Sequence, residues 1–364
     1  MIPVSQPALI GREEEYVTDC VRRVELSFGA YTERFETAFA EFCGVDHALT
    51  CSNGTAALHL ALMALGVRPG DRVLVPALTY VATANAVRYC GAVPVFCDID
   101  EKTWTISVSH VRHRIDRAQS HGHRVVGMIP VHLFGVPADM LALREIADAY
   151  GIWIVEDAAQ AHGADINGRT VGSFGELGTF SFYGNKMLTC GEGGMVTTNN
   201  ADYADRVKRF RGQGVDTSRG AYFHTIIGYN YRLTNVQSAL GLAQLDGYAQ
   251  QREARQRIFA AYKAVLSPKF QVQEGQGPNA AKWMFTVLVP EGVNRDRVIE
   301  QLRADGIETR PFFAPIPALP PYASAKVVPP VAAAVSARGI CLPTFYELGA
   351  DIPMICYALE GACL

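Results

Sequence analysis

The first residues that could do chemistry form a polar turn at 51–58, with the sequence CSNGTAAL, which opens an apolar helical stretch. The first turn of a helix has backbone N–H groups without intrahelical partners and a partial positive charge. Gly54 would let an anion approach these groups closely. The turn is therefore suited to hold a phosphate, although an ordinary Ser or Asn helix cap without a ligand produces the same pattern.

The second group follows the apolar run 152–155 and places a carboxylate, Asp157, at the end of a predicted buried strand. A buried carboxylate is costly unless it meets a positive partner. A protonated heterocyclic nitrogen is one such partner, so Asp157 is a candidate anchor for a cofactor ring. The alternative, in which Asp157 only caps the turn after the strand, stays open at this point.

The third group is residues 178–195, where a single lysine, Lys186, lies between an apolar strand and a glycine-rich turn. Partial desolvation would lower the pKa of its amine and make it a nucleophile toward carbonyl groups. A solvated surface lysine fits the same pattern. A P-loop is excluded because no G-x-x-x-x-G-K-[ST] motif is present, and residues 172–178 have the wrong spacing for G-x-G-x-x-G.

Together the three groups meet the requirements of pyridoxal phosphate (PLP). They offer a phosphate site, a carboxylate for the pyridinium nitrogen and a lysine that can bond to the aldehyde. The sequence therefore predicts a PLP site.

The histidines and cysteines, nine of each, are dispersed without the short spacing of a metal site, so we expect no metal.

The elements that position these groups are predicted by the alternation of short, β-rich apolar runs with helical stretches through the first two thirds of the chain. Strands of unbroken apolar character between helices indicate an α/β domain, with a mostly parallel sheet covered on both faces. In such sheets ligands bind at the carboxyl ends of the strands. The three polar groups can therefore meet at one edge.

The pattern changes after about Asn235. A long helical stretch at 236–265 precedes a strand-like segment at 282–290 and a further helix near 295–305. This order indicates a small α+β domain attached through a linking helix. We predict a large PLP-binding α/β domain at residues 1–240 and a small C-terminal α+β domain at residues 241–364.

Length and charge exclude several classes of protein. The chain has 364 residues, 49% hydrophobic and 19% charged, and its net charge is −3, so it has no basic footprint for nucleic acid or an anionic membrane. The apolar runs are too short to span a bilayer. The N-terminus lacks the basic start and apolar centre of a signal peptide. These features, with nine scattered cysteines that we expect to be reduced, predict a cytoplasmic protein.

The chain resembles the DegT/StrS family of sugar aminotransferases, which are fold-type I PLP enzymes with a seven-stranded sheet. The matching motifs extend over nearly the whole chain and lie at 52–60, 76–85, 156–160, 181–186, 228–232 and 310–313. The resemblance implies that Lys186 bonds to PLP and then acts as the general acid and base. It also implies that Asp157 holds the pyridinium nitrogen, Gln160 the ring hydroxyl, and that Tyr80 stacks on the ring.

The remaining implied contacts concern the phosphate and the substrate. Phosphate-binding positions match Gly54, Thr55 and Ser181. Asn230 matches an asparagine that reaches the phosphate from the neighbouring subunit, which implies a homodimer with shared active sites. Arg310 and Phe313 are assigned to the substrate entrance, with packing between the domains as the alternative.

The resemblance implies an aminotransferase that moves an amino group from L-glutamate to a nucleotide-linked keto sugar, here GDP-4-keto-6-deoxymannose. Relatives that dehydrate sugars have histidine where this chain has Lys186, so amino transfer is favoured. Another keto sugar as acceptor, a PLP-dependent sugar dehydratase, and a PLP-binding regulator without turnover are the alternatives.

Overall fold

The computed structural model describes residues 1–220, 222–325 and 327–364. In these residues the strands are β1 (His47–Cys51), β2 (Arg72–Pro76), β3 (Val93–Cys97), β4 (Val125–Met128), β5 (Trp153–Asp157), β6 (Asp165–Ile166), β7 (Arg169–Thr170), β8 (Leu177–Ser181), β9 (Gly194–Thr198), β10 (Gln271–Val272), β11 (Phe285–Leu288), β12 (Arg310–Pro311) and β13 (Gly339–Leu342).

The α-helices in the same residues are α1 (Glu13–Arg22), α2 (Ala30–Cys43), α3 (Gly54–Leu65), α4 (Ala82–Tyr89), α5 (Val108–Ser120), α6 (Met140–Tyr150), α7 (Ala201–Arg211), α8 (Asn235–Asp246), α9 (Tyr248–Val265), α10 (Arg295–Ala304), α11 (Pro330–Arg338) and α12 (Ile352–Gly361). Short 3-10 helices occur at Leu133–Gly135, Thr217–Arg219, Ile316–Ala318, Pro320–Ala325 and Gly349–Asp351.

The large sheet has seven strands in the order β1-β9-β8-β5-β4-β2-β3. The pairs β8–β5, β5–β4, β4–β2 and β2–β3 are parallel, whereas β9 runs antiparallel to both of its neighbours. The predicted α/β class with a mostly parallel sheet is therefore confirmed. Because β5 and β8 are adjacent and parallel, their carboxyl ends bring Asp157 and the turn that contains Lys186 to the same edge.

Helix α3 lies against this edge and is nearly buried along its length. Asn53 caps it by accepting a hydrogen bond from the Ala56 N–H at 2.8 Å. It ends at Gly66, whose positive φ of 78° suits a residue without Cβ. An Ala- and Leu-rich sequence allows α3 to pack against β8 and β9. Its N-terminus therefore points into the region where the polar groups meet.

The C-terminal part contains a four-stranded antiparallel sheet in the order β10-β11-β13-β12. Helices α9, α10 and α12 cover it with an apolar core of their own. The first residues of the chain run beside this part, because the Ile2 N–H donates to the Gly306 carbonyl at 2.7 Å. The domain limits 1–240 and 241–364 stay a prediction.

The long helical stretch predicted at 236–265 is in fact two helices, α8 and α9, which meet at Gly247. The interruption lets α8 pack on α1 and α2 in the large part, while α9 packs on α12 in the C-terminal part. None of the helices in the described residues combines the length and the apolar character that a membrane span requires.

Candidate active site

A cavity of about 720 Å³ lies between the carboxyl edge of the large sheet and the C-terminal sheet. Nearly all of the residues singled out from the sequence line it: Gly54, Thr55, Tyr80, Asp157, Gln160, Ser181, Lys186, Arg310 and Phe313. Asn230 does not. The structure therefore brings nine of the ten candidate residues into one cavity.

Asp157 ends β5 and is buried. Its Oδ2 accepts a hydrogen bond from the Thr83 hydroxyl at 2.8 Å, and its Oδ1 accepts one from the Ala159 N–H at 3.2 Å. Burial raises the pKa of Asp157, and the hydrogen bond from Thr83 is the largest effect that opposes this rise. A cation that bonded to this carboxylate would stabilise its charged form further.

The carboxylate before it in sequence, Glu156, faces away from the cavity and is fully buried. Its oxygens accept hydrogen bonds from three backbone N–H groups, those of Gly172, Phe174 and Gly175, at 2.6–2.8 Å. His132 Nε2 lies 3.2 Å away, and His132 Nδ1 accepts from a backbone N–H. This pair anchors the end of β5, because the backbone N–H of His132 also donates to the backbone carbonyl of Asp157 at 3.1 Å.

Lys186 follows β8 in a turn closed by a hydrogen bond from its own N–H to the Tyr183 carbonyl at 2.8 Å. Burial lowers the pKa of its amine to about 8, and the nearby Asp157 carboxylate opposes this shift. A fraction of the amine is therefore neutral at mildly alkaline pH. A neutral amine can attack a carbonyl carbon, so this lysine has the property expected of a nucleophile.

Gln160 is buried, and its Oε1 accepts a hydrogen bond from the Phe134 N–H at 2.6 Å. This contact fixes the side-chain amide and leaves its NH₂ group as a donor at the cavity wall. Tyr80, 57% exposed, lies at the entrance with its ring centroid 5.8 Å from that of Phe313. The two aromatic rings form an apolar edge of the cavity.

The turn at the start of α3 lies very close to the end of β8. A Cβ added to Gly54 would lie only 2.7 Å from the Ser181 Cβ. Glycine is therefore needed for the helix to come this near to the end of β8. The first turn of α3, Thr55 and the Ser181 hydroxyl then face one small space, which is suited to a phosphate.

Unsatisfied polar atoms also line the cavity. Among the described residues, three buried side-chain atoms without a hydrogen-bond partner belong to cavity residues: His59 Nδ1, Thr79 Oγ1 and Asn185 Oδ1. Buried polar atoms usually have hydrogen-bond partners, so three atoms without partners in one cavity indicate that a polar ligand completes the site. With the carboxylate, the lysine and the phosphate-sized space, these atoms fit PLP.

Asn230 is exposed and outside this cavity. It forms an antiparallel bridge with Gly212, and its Oδ1 accepts a hydrogen bond from Arg232 Nη2 at 3.3 Å.

Within the described residues, no group of three or more His, Cys, Asp or Glu side chains is arranged to hold a metal ion.

Among the cavity residues that sequence reasoning did not single out, Thr83 and Trp283 contact the two central side chains. Thr83 lies in the matching segment 76–85, but its contact with Asp157 requires α4 to lie beside the end of β5. Trp283 comes from the C-terminal part, and its ring centroid is 4.0 Å from Lys186 Nζ. No local signal predicts this contact, because the two residues are about a hundred positions apart in the chain.

Comparisons with known proteins give a consistent result. Residues 7–359 match the model of the DegT/DnrJ/EryC1/StrS aminotransferase family. GDP-perosamine synthases from Caulobacter vibrioides and Escherichia coli O157:H7 are 43% and 41% identical, each over 99% of this chain and over 97% and 98% of their own lengths. The crystal structure of a family aminotransferase from Brucella abortus superposes with a TM-score of 0.91 at 32% identity, covering 97% of this chain and 95% of that one.

Proposed function

Because the chain belongs to the DegT/DnrJ/EryC1/StrS aminotransferase family, we propose that it transfers an amino group from L-glutamate to a nucleotide-linked keto sugar. The proposed acceptor is GDP-4-keto-6-deoxymannose and the product is GDP-perosamine. The observation that carries the proposal is the single cavity that joins Lys186, Asp157 and the glycine turn of α3. Two nearly full-length relatives are named GDP-perosamine synthases, which supports this product.

PLP supplies an electron sink and a carrier for the amino group when it is bound. Asp157 would hold the ring nitrogen in its protonated form. Gln160 would donate its amide NH₂ to the ring hydroxyl oxygen. The phosphate would be bound by the α3 turn and by the hydroxyls of Thr55 and Ser181.

Lys186 has two tasks in this proposal. Its neutral amine would hold the cofactor through the aldehyde carbon, with water as the leaving group, and burial lowers the pKa of this amine to about 8, so that the neutral form is available near pH 8. Once its amine is free again, Nζ takes a proton from the donor amino acid and returns a proton in the transfer to the sugar. Retention of this lysine favours amino transfer over sugar dehydration.

The substrate entrance is assigned to Arg310, Phe313 and Tyr80. Arg310 is a partly exposed cation on β12, with Glu308 Oε1 at 3.7 Å from its Nη2. A guanidinium at this place is suited to a carboxylate or a phosphate, and the aromatic rings are suited to the face of a sugar. Both amino donor and nucleotide sugar would pass this edge.

We also propose a homodimer in which Asn230 completes the partner's site. Four apolar side chains near Asn230 are exposed, with Tyr222 at 91% and Ile227 at 88%, and Phe223 and Ile226 lie beside them in sequence. A cluster of exposed apolar residues is typical of an interface. Asn230→Ala should then weaken PLP binding at least roughly tenfold, although the residue lies outside its own chain's cavity. A monomer in sedimentation, or unchanged affinity, would contradict this arrangement.

A cytoplasmic location is proposed on the cysteines, since all nine are unpaired and reduced thiols are typical of that compartment.

The reaction is tested by incubating the protein and PLP with glutamate that has an isotopically labelled amino nitrogen, together with GDP-4-keto-6-deoxymannose. We expect the label in a GDP-linked amino sugar by mass spectrometry, and no transfer with Lys186→Ala. A deoxygenated sugar formed without glutamate consumption would indicate the dehydratase. Labelled transfer to other keto sugars only would retain the aminotransferase and refute this acceptor.

A further inference from the structure

The indole ring of Trp283 forms the part of the cavity wall on which the Lys186 side chain rests. The Lys186 Nζ lies 4.0 Å from the ring centroid, within the range of a cation–π interaction. Trp283 is only 5% exposed. The contact is therefore shielded from water, and this strengthens the attraction between an ammonium and an aromatic ring.

Three contacts fix the ring in this position. Its Nε1–H donates to the carbonyl of Asn185, the residue next to Lys186, at 2.7 Å. The carbonyl of Trp283 accepts a hydrogen bond from Nη1 of the buried Arg255 at 2.8 Å. One face of the ring stacks near Phe134, with a centroid distance of 6.3 Å and an interplanar angle of 19°. The indole is therefore fixed through its Nε1–H, and the backbone of Trp283 is fixed through its carbonyl.

Such a fixed ring distinguishes between the two protonation states of the lysine. The negative face of an indole attracts an ammonium, and it has no comparable attraction for a neutral amine. A free lysine side chain also samples many rotamers. A fixed contact with the ring favours one of them and holds Nζ near the position in which it reacts. The Asn185 contact ties the ring to the turn that carries the lysine.

We propose that Trp283 is a positioning residue that seats the free Lys186 ammonium during amino transfer. The ring holds Nζ at a constant place and stabilises the ammonium that forms when the free amine has taken a proton, until that proton is returned. This inference rests on the proposed function, since it assigns a role within that reaction.

Other charged groups also act on the Lys186 amine. Asp157 at the end of β5 favours the ammonium, and His162 in the following turn is close enough for the charge of Lys186 to lower the pKa of its ring. Burial keeps the pKa of His162 low, at about 3, so this ring is neutral at the pH of interest. Glu192 and Arg310 line the same cavity. The variants below leave all four groups in place.

The test measures the protonation of Lys186 without a catalytic assay. The full-length protein without added cofactor, and the same protein with pyridoxamine phosphate, are labelled briefly with acetic anhydride across a range of pH. Mass spectrometry of the peptide that contains Lys186 gives the midpoint of its titration. Trp283→Phe retains a weaker aromatic face, and Trp283→Leu retains apolar volume only. Trp153→Phe is the matched control, because Trp153 lies in β5 outside the cavity.

We expect the Lys186 midpoint to fall by about half a pH unit or more in Trp283→Leu and by less in Trp283→Phe. The control should keep the wild-type midpoint. Equal midpoints in all four proteins would overturn the proposal. Equal shifts in the Phe and Leu variants would overturn it as well, because they would reflect packing and not the aromatic face.

A second readout separates this inference from the proposed function. In the half-reaction with glutamate, followed by stopped-flow absorbance, the Trp283 variants should lower the limiting rate constant while the apparent Kd for glutamate changes little. If the wild-type protein binds no PLP, the proposed function fails, yet the labelling still reports whether the ring seats the ammonium. If the wild type transfers amino groups and the labelling midpoints are equal, the inference alone fails.

Discussion

Replacing Thr83 by valine removes one hydroxyl from the candidate active site at nearly constant volume. In the wild type this hydroxyl donates to Asp157 Oδ2 at 2.8 Å and opposes the rise in the pKa of Asp157 that burial causes. A hydrogen bond to a charged group contributes about 1.5–3 kcal/mol. This range corresponds to roughly a ten- to 150-fold change in an equilibrium constant.

We expect Thr83→Val to raise the pKa of Asp157 further. PLP binding requires the ionised carboxylate, so the Kd for PLP should rise roughly ten- to 150-fold where the variant's Asp157 is protonated. The deficit should shrink as pH increases, because the carboxylate is then ionised in both proteins. Titration with PLP, followed by absorbance at several pH values, measures this.

The control for this experiment is Thr197→Val, which removes a buried hydroxyl that donates to the Gly172 carbonyl, away from the cavity. It should leave the pH dependence of PLP binding unchanged. The reasoning is refuted if Thr83→Val has wild-type affinity throughout. A deficit that does not vary with pH would also refute it, since a steric defect and not the charge of Asp157 would then be responsible.

Three further perturbations test other parts of the site. The rate at which PLP bonds to Lys186 should increase with pH and level off above about 8, where the amine is neutral; stopped-flow absorbance measures this, and a rate that falls over that range would be inconsistent with an amine nucleophile. Gly54→Ala should weaken PLP binding at least roughly tenfold, because the new Cβ would lie 2.7 Å from the Ser181 Cβ; wild-type affinity in equilibrium dialysis would show that the α3 turn can move. Glu156→Gln should lower the free energy of unfolding in urea by about 3 kcal/mol, because its amide would face N–H donors in a fully buried position; an unchanged urea midpoint would mean that this carboxylate does not anchor β5.

The sequence predicts those parts of the site that follow strands or open helices. Gly54, Asp157 and Lys186 each stand next to an apolar run, so their place at the carboxyl edge of a parallel sheet follows from local pattern. The α/β class is predicted for the same reason. Local sequence carries this information because burial on both faces imposes continuous apolar strands.

Contacts between distant segments are not accessible in this way. Trp283 reaches Lys186 only because the C-terminal sheet packs over the large one. A contact between residues about a hundred positions apart produces no periodic pattern in the sequence. The break at Gly247 was also missed. It is set by two different packing surfaces, one for α8 and one for α9, and not by helix propensity alone.

The central claim is that one cavity both accepts an amino group from glutamate and delivers it to a keto sugar. The most direct measurement is the visible absorption spectrum of the protein with PLP, recorded after adding L-glutamate and again after adding GDP-4-keto-6-deoxymannose. We predict that glutamate removes the band of the lysine-bound cofactor and that the sugar restores it. A band that glutamate leaves unchanged, or no such band in the wild type, would contradict the account.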